Sequence, residues 1–342
     1  MAQFGPDKRP YIVAEMSGNH NGSLDRALAL VDAAADAGAD AIKIQTYTAD
    51  TLTLDVKHPR FQLSKGHELW GGEYLYDLYE RAHTPWEWHQ PIFDRARERG
   101  ITPFSSPFDP TAIDLLEKLD APMYKIASSE ITDLPLIRLA ASTGKPVIIS
   151  TGMASVKEIA AAVEAAQGAG ASEVTVLSCT ASYPAPPAET NLRRIPVLAQ
   201  MLELPIGLSD HTLGIGVPVA AVAFGACLIE KHVTLDRADG GVDSAFSLNP
   251  AELKLLREES ERAWQALGTT HIGPTEHEKE GLRFRRSLYV VTDVKAGDKV
   301  TPENVRSIRP TGGLEPDAIS SVLGRTFTVD AAKGTPLTWD LI

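Results

Sequence analysis

The chain has 342 residues, of which 43% are hydrophobic, 23% are charged and 6% are aromatic. This balance is that of a globular protein with a large core, and it argues against disorder, a disulfide scaffold or a collagen-like fibre. The formal net charge is −12, from 33 Lys+Arg against 45 Asp+Glu. A broad nucleic-acid-binding surface is therefore not expected, because phosphate contacts need basic side chains.

The two cysteines, Cys179 and Cys227, each stand in an apolar run. We expect two buried free thiols and hence a reducing compartment, the cytoplasm. No apolar stretch reaches the roughly 18 residues that a membrane span requires. Residues 1–6 lack the basic-then-apolar pattern of a signal peptide. The sequence thus predicts no membrane partner.

Apolar segments rich in Val and Ile recur along the chain, and a helical pattern follows each of them. The first predicted helix covers 23–37, with Ser23 as its N-cap and Gly38 as its stop. The eight predicted strands are 11–17, 41–47, 101–106, 124–129, 146–151, 174–180, 205–210 and 227–233. Eight strand-then-helix units in about 250 residues predict an α/β fold of the (β/α)8 TIM-barrel class. A doubly wound sheet would alternate in the same way, but no G-x-G-x-x-G follows the first strand.

The barrel is assigned to residues 1–267, followed by a linker at 268–283 and a small, mostly β domain at 284–342. In that domain, short strands are expected at 287–292, 305–309 and 325–329. A long insertion, 48–84, interrupts the barrel alternation and carries several aromatic residues. Long loops on barrels are usually functional, and the aromatics favour an ordered lid.

In a barrel of this kind the active site lies at the carboxyl ends of the strands. Every predicted strand has polar side chains there, which a sealed core would not show. Lys43 and Gln45 share one face of the second strand because side chains alternate along a strand. Together with Lys125 on the fourth strand and several serine hydroxyls, they suit a ligand with a phosphate and a carboxylate.

Two histidines, His211 and His232, end neighbouring strands. They could share one divalent metal and leave positions open for substrate and water, or each could be a hydrogen-bonded structural residue. Glu15 could be a salt-bridge partner of a lysine or an acid/base group. Cys179 has no adjacent histidine that would mark it as a nucleophile, so packing is the preferred interpretation.

The residues at the strand ends resemble those of the sialic acid synthases. Six motifs occur in the order of that family: 14–22 (AEMSGNHNG), 42–46 (IKIQT), 125–128 (KIAS), 150–153 (STGM), 209–212 (SDHT) and 230–232 (EKH). The C-terminal segments 285–288 (RRSL) and 306–310 (RSIRP) resemble the antifreeze-like (SAF) domain of that family. The resemblance covers nearly the whole chain.

This resemblance implies a condensation of phosphoenolpyruvate with the open-chain aldehyde of an acetamido sugar. It also implies a divalent metal, Mn²⁺ before Mg²⁺ or Co²⁺, on His211 and His232, which would polarise the aldehyde and orient water. Glu15 and Glu130 match the acid/base and orienting carboxylates of the family, so that with the two histidines they form the expected catalytic set. The phosphoenolpyruvate-binding positions carry over to Lys43, Ser106, Lys125, Ser128, Ser150 and Ser209.

The sugar-binding positions implied by the resemblance are Asn19, Gln45, Tyr183, Asp210 and Arg309. Arg309 would reach the acetamido group in the barrel of a partner, so the resemblance implies a homodimer with swapped SAF domains. The segment 179–184 (CTASYP) lacks the Asn that neuraminate synthases place just before this Tyr. That departure suggests a different sugar.

Three other interpretations stay open. A sister enzyme could make neuraminic or legionaminic acid by the same chemistry. A lyase or aldolase barrel would need a Schiff-base lysine, for which Lys125 or Lys231 could serve. A non-catalytic carbohydrate-binding protein could keep the barrel alone, although the intact set of charged residues argues against it.

Overall fold

A computed structural model describes residues 4–5, 7–64, 66 and 69–342. Residues 1–3 and 6, which belong to the segment tested for a signal peptide, lie outside the described residues, and so do residues 65, 67 and 68 of the predicted lid. The chain separates into two compact units, Met1–Gly268 and Thr269–Ile342. Among the described residues, no helix is both long and apolar enough to cross a bilayer.

The first unit is a closed barrel of eight parallel strands in sequence order, with the eighth strand paired to the first. The predicted (β/α)8 fold is therefore confirmed. The strands are β1 (Tyr11–Glu15), β2 (Ala41–Thr46), β3 (Thr102–Pro107), β4 (Tyr124–Ile126), β5 (Val147–Ser150), β6 (Val174–Cys179), β7 (Ile206–Asp210) and β8 (Leu228–His232).

The first unit also contains α-helices, most of which cover the outside of the barrel. They are α1 (Leu24–Asp36), α2 (Ala49–Leu52), α3 (Leu75–Ala82), α4 (Trp86–Glu98), α5 (Pro110–Lys118), α6 (Leu134–Ser142), α7 (Val156–Ala169), α8 (Arg194–Leu202), α9 (Gly216–Ala223) and α10 (Pro250–Leu267). Ser23 caps α1 as predicted, since its hydroxyl accepts a hydrogen bond from the Arg26 amide at 3.3 Å.

The inside of the barrel changes character along the strands. A lower layer, at the amino ends of the strands, is apolar and forms its own core cluster of Val13, Ala41, Phe104, Met123, Ile148, Leu177, Cys227 and Leu228 with Phe4. Two residues further along, the same face of the strands turns polar, because side chains alternate with period two. This upper layer contains Glu15, Lys43, Ser106, Lys125, Ser150 and Glu230.

The insertion 48–84 folds onto the barrel as two short helices, α2 and α3, joined by a loop. Gln62 forms an isolated antiparallel bridge with Tyr74, and its side-chain amide donates to the Gly72 carbonyl at 2.8 Å. The indole Nε1 of Trp70 donates to the carbonyl of Val242 at 3.0 Å. This last bond ties the insertion to the loop that follows β8.

The second unit contains a short helix α11 (Glu276–Lys279), an antiparallel pair of β9 (Ser287–Val290) and β10 (Val305–Ile308), and a helical turn α12 (Ile319–Val322). The strand predicted at 325–329 is wrong. Only one isolated bridge, between Lys299 and Thr326, forms there. The backbone of this segment bonds to 297–300, for example from the Phe327 amide to the Asp298 carbonyl, and then to Leu341, to which the Thr328 amide donates, so the pairing does not continue along one neighbour.

Candidate active site

Two lysines and two glutamates meet inside the barrel, in the upper layer. Lys43 Nζ lies 2.5 Å from Glu15 Oε2 and 3.6 Å from Glu230 Oε1. Lys125 Nζ lies 3.4 Å from the same Glu230 oxygen. Because β4 and β8 stand on opposite sides of the barrel, Lys125 and Glu230 can meet only across its interior. All four side chains are almost inaccessible to solvent.

Burial and pairing act in opposite directions on these groups. Burial opposes the charge of Lys43, but the carboxylates of Glu15 and Glu230 prevail and raise its pKa. Burial lowers the pKa of Lys125, and Glu230 only partly offsets it. Glu230 is buried too, yet Lys125 and Lys43 hold its pKa below the ordinary range. The cluster therefore keeps two ammonium groups poised beside carboxylates in a water-poor interior.

Serine hydroxyls border this cluster. Lys43 Nζ donates to Ser106 Oγ at 3.3 Å, and Ser209 Oγ donates to Glu230 Oε1 at 3.4 Å. Within the described part of the chain, the buried Oγ of Ser150 and Oε2 of Glu230 have no hydrogen-bond partner. Buried polar atoms normally have one, so these atoms are places where a bound ligand would contribute the missing bond.

Ser128 lies where β4 gives way to a short helical turn, and its Oγ accepts a hydrogen bond from the Gly152 amide at 3.0 Å. A Cβ on residue 152 would come within 2.6 Å of that oxygen. Only glycine therefore lets the loop after β5 approach Ser128 so closely.

The two predicted histidines stand side by side at the ends of β7 and β8, with ring centroids 5.3 Å apart. His211 Nδ1 lies 3.0 Å from the carbonyl of Thr180. Because a carbonyl only accepts, Nδ1 carries the proton and Nε2 keeps its lone pair. Burial, followed by the neighbouring His232, lowers the pKa of His211 to about 3, so this imidazole is neutral at physiological pH. His232 Nδ1 lies 3.5 Å from Asp243 Oδ2.

The histidine pair fits a divalent metal as a partial ligand set. A neutral imidazole whose Nδ1–H is fixed by a carbonyl is the form in which histidine binds metals. Among the described residues, no group of three or more His, Cys, Asp or Glu side chains could hold an ion. Two protein ligands would leave the remaining positions to substrate and water.

A cavity of about 250 Å³ opens beside these groups. Its polar side is formed by Ser17, Gln45, Ser128, Ser129, Glu130, His232 and Asp243. Gln45 is oriented by Glu15, whose Oε1 accepts from the Gln45 amide at 2.9 Å. Tyr183 also lines the cavity, with its ring centroid 4.4 Å from that of His211.

Glu130 is an acid of the cavity that lacks part of its hydrogen bonding. Its buried Oε2 has no hydrogen-bond partner in the described structure. Burial raises its pKa to about 7, and the partial offset from a backbone hydrogen bond and from Lys125 is smaller. A carboxyl that titrates near neutrality can both accept and donate a proton under working conditions.

Two predicted sugar-binding residues of the barrel, Asp210 and Asn19, are not brought to this cavity. Asp210 faces away from the barrel interior and pairs with Lys231, whose Nζ lies 2.7 Å from its Oδ2. The amide of Asn19 donates to the Val233 carbonyl at 2.8 Å and is thus committed to the loop after β8. Arg309 follows β10 in the second unit and is exposed.

Three residues of the site were assigned no role from the sequence: Ser17 and Glu230, which lie in recognised motifs, and Asp243, which lies in none. Ser17 Oγ donates to Asp243 Oδ2. The carboxylate of Asp243 is buried and faces His232. The alternation of side chains along a strand could have identified Glu230, because this residue shares a face of β8 with His232. The sequence carries no comparable signal for Asp243, which follows a glycine pair in an irregular loop.

A closed (β/α)8 barrel with buried lysines, carboxylates and two imidazoles at its strand ends has the architecture of a barrel enzyme that handles an anionic substrate. Residues 30–272 match the NeuB family, and residues 285–342 match the SAF domain. The chain belongs to the NeuB family, and the predicted resemblance is confirmed.

The chain is similar over its length to named members of that family. It is 42% identical to a pseudaminic acid synthase of Campylobacter jejuni, over 98% of each chain. It is 37% identical to an N,N'-diacetyllegionaminic acid synthase of Legionella pneumophila, over 97% of this chain and 94% of that protein. The crystal structure of an N-acetylneuraminic acid synthetase from Leptospira borgpetersenii in complex with citrate superposes with a TM-score of 0.72 at 34% identity, covering 80% and 90% of the two chains.

Proposed function

We propose that this protein is a pseudaminic acid synthase. It would condense phosphoenolpyruvate with 2,4-diacetamido-2,4,6-trideoxy-L-altrose, in its open-chain aldehyde form, to give pseudaminic acid and phosphate. The near full-length similarity to a relative of that name supports the reaction. The observation that carries the proposal is the buried cluster in which Lys43 and Lys125 stand beside the neutral pair His211 and His232.

The cluster matches the charge of the first substrate. Phosphoenolpyruvate carries a phosphate and a carboxylate, and Lys43 and Lys125 offer one ammonium group for each. The hydroxyls of Ser106, Ser128, Ser150 and Ser209 would complete the contacts, and Ser150 Oγ is a buried oxygen without a partner in the described chain.

The reaction forms one carbon–carbon bond and breaks one carbon–oxygen bond. C3 of phosphoenolpyruvate attacks the aldehyde carbon, the aldehyde oxygen takes up a proton, and water adds to C2 with loss of a proton. Collapse of the resulting tetrahedral centre expels phosphate by C–O cleavage. Glu130, with a pKa of about 7, and Glu15 are the groups we assign to these proton transfers.

His211 and His232 are the residues that would hold a divalent ion, with Mn²⁺ the first candidate. When bound, the ion supplies Lewis acidity toward the carbonyl oxygen of the sugar. Phosphate release should stop when a chelator is added and return when Mn²⁺ is restored. In a separate calorimetric measurement, His211→Ala should weaken the binding of Mn²⁺.

Arg309 is assigned to the sugar's acetamido group, supplied to the barrel of a second copy in a homodimer. Arg309→Ala should then raise KM for the sugar far more than KM for phosphoenolpyruvate, and equal effects on both would refute the assignment. Mixing Arg309→Ala with a barrel variant such as His211→Ala tests the swap, because mixed dimers would regain one complete site. The cytoplasm, where thiols such as Cys179 and Cys227 stay reduced, is the compartment that we assign.

The first experiment measures phosphate release from phosphoenolpyruvate and Mn²⁺ with three sugars in parallel. They are the altrose above, N-acetylmannosamine and 2,4-diacetamido-2,4,6-trideoxy-mannose. Release with the altrose alone supports the proposal. Release with another sugar instead would favour a neuraminate or legionaminate synthase, for which the Legionella relative is the supporting observation.

A Schiff-base lyase is the alternative of another class. Lys231 is a poor candidate for it, because its ammonium is buried on the outer face of β8 and bonded to Asp210 and to the Thr212 carbonyl. Lys125 faces the site but is paired with Glu230. Borohydride with substrate should trap no adduct on either lysine if the proposed chemistry operates.

A further inference from the structure

The cavity beside the histidines has two unlike sides. The strand ends and the loops that follow them contribute all of its imidazole, amide and carboxyl groups and its serine hydroxyls, together with Tyr47, Phe108, Ala127, Tyr183 and Val242. The insertion 48–84 contributes, among the residues the structure describes, only aliphatic and aromatic side chains: Leu63, Trp70, Leu75, Leu78, Tyr79 and Ala82. Below we call these six residues the apolar wall.

An aromatic cluster adjoins the apolar wall, and Tyr47 and Phe108 of this cluster also line the cavity. Tyr47 contacts Tyr79 and Phe108 edge to face, with centroids 5.8 and 5.2 Å away. Burial raises the pKa of both tyrosines, so both phenols stay neutral. Leu78 is almost completely buried. The wall thus packs against neighbouring rings and can present a defined apolar surface.

The wall is also held in place on the open side. Trp70 and Val242 line both this cavity and a larger one, of about 620 Å³, outside it. The hydrogen bond from Trp70 Nε1 to the Val242 carbonyl, 3.0 Å long, joins them. Further out, Arg81 of α3, the helix that carries Leu75 and Leu78, forms an ion pair with Glu73 at 2.8 Å.

These two sides impose an orientation on a sugar. The aldehyde must react near His232 and Glu130, on the polar side. In that orientation, the far end of the open chain would face the apolar wall. A hydroxyl group placed there would lose its water and find no donor or acceptor from these side chains other than the tyrosine phenol and the indole, whereas a methyl group would fit without such a loss.

We propose that the apolar wall of the insertion selects sugars that end in a methyl group, that is 6-deoxy acetamido sugars, over sugars that end in a hydroxymethyl group. This inference rests on the proposed function, because it concerns how the same site recognises the end of the sugar that lies far from the aldehyde. An apolar pocket discriminates such pairs by roughly 10- to 200-fold in kcat/KM.

The test compares 2,4-diacetamido-2,4,6-trideoxy-L-altrose with its 6-hydroxy counterpart. The full-length protein, with phosphoenolpyruvate and Mn²⁺, should prefer the 6-deoxy sugar by about 100-fold in kcat/KM. Leu63→Asn and Leu75→Asn should each reduce that preference at least about tenfold, while KM for phosphoenolpyruvate stays within about twofold. Leu54→Asn is the matched control, since Leu54 belongs to the same insertion but is 60% exposed.

The outcomes separate the two proposals. If the native protein turns over the 6-deoxy sugar but shows no preference, or if both inner variants retain the preference, the apolar wall is not the selector. Phosphate release with neither sugar would refute the proposed function, and this inference with it. Thermal unfolding of each variant, together with an unchanged KM for phosphoenolpyruvate, shows that a lost preference does not come from lost folding.

Discussion

The two layers inside the barrel differ completely in chemistry, although the same strands build both. Val13, Phe104 and Leu228 in the lower layer pack into an apolar cluster. Glu15, two residues beyond Val13, and Glu230, two residues beyond Leu228, join the buried ion pairs of the upper layer. Along one strand, a step of about 7 Å separates a core position from a site position.

The difference shows how this fold combines stability with chemistry. The cost of removing charges from water is largely offset by their pairing but seldom exceeded by it, so the upper layer contributes little to stability. The apolar lower layer and the packing between barrel and helices supply the stability that the charged layer lacks. Substitutions in the upper layer should therefore affect activity first, and substitutions in the lower layer should affect stability first.

Lys125→Met is the upper-layer change with the largest expected effect. It removes one of two ammonium groups from the proposed anion site, and we expect kcat/KM for phosphoenolpyruvate to fall by about 10³-fold. Glu230 retains Lys43 as a partner at 3.6 Å, so the protein should stay folded. Lys145→Met, at a lysine paired with Glu117 outside the site, is the matched control. Activity within about threefold of the native protein in Lys125→Met would refute the assignment.

Phe104→Ala tests the lower layer. The ring is fully buried in the apolar cluster, and its loss should reduce the free energy of unfolding by about 3–5 kcal/mol. Denaturant unfolding measures this, with Phe104→Leu as the milder control. The fraction that remains folded should keep its kcat. A loss of kcat with unchanged stability would contradict the division between the layers.

Glu130→Gln tests the titration of the cavity beside the upper layer. The folded-state pKa of about 7 lies above the ordinary 4.5, so the folded protein binds this proton more tightly than the unfolded chain does. Stability should therefore decline by about 3 kcal/mol as pH rises from about 4.5 to about 7, and then level off. The Gln variant should lack this component of the slope in unfolding free energy measured against pH. If unfolding free energy depends on pH in the same way in the native protein and in the variant, the pKa of Glu130 is not raised in the folded state.

Gly207→Ala tests how closely the lower layer is packed. A Cβ there would come within 2.5 Å of the Leu228 carbonyl oxygen and 2.6 Å of Leu177 Cδ2. We expect a destabilisation of about 1–3 kcal/mol, measured by denaturant unfolding. Gly168→Ala is the control, because a Cβ at that position in α7 meets nothing within 4 Å and should stabilise the helix by about 0.5–1 kcal/mol. Equal effects of the two changes would mean that the barrel interior accommodates the methyl group.

Side chains alternate between the two faces of a strand, and this alternation made much of the upper layer predictable from the sequence. It places Lys43 and Gln45 together, and it makes Glu230 a neighbour of His232 on β8. The same rule argues against predicting both Ser209 and Asp210 for the pocket, since adjacent strand residues face opposite sides. Asp210 indeed pairs with Lys231 away from the interior.

The loop sequences predicted much less about the site than the strand sequences did. Residue Ser17 adopts a positive φ of 46°, which ends β1 at Glu15, two residues before the predicted end. Beyond such a point the alternation no longer fixes the direction of a side chain. This is why Asn19 bonds to the loop after β8 instead of facing the cavity.

The sequence by itself determined the eight-strand barrel, the small second domain and the strand-borne residues of the site, because hydrophobic periodicity and family motifs are local properties. Only the tertiary structure decided that Asp243 meets Ser17, 226 residues away in the chain. Only it decided that the insertion presents Leu63 and Leu75 to the cavity. Contacts between distant loops depend on how the closed barrel brings them together, and no local pattern records that.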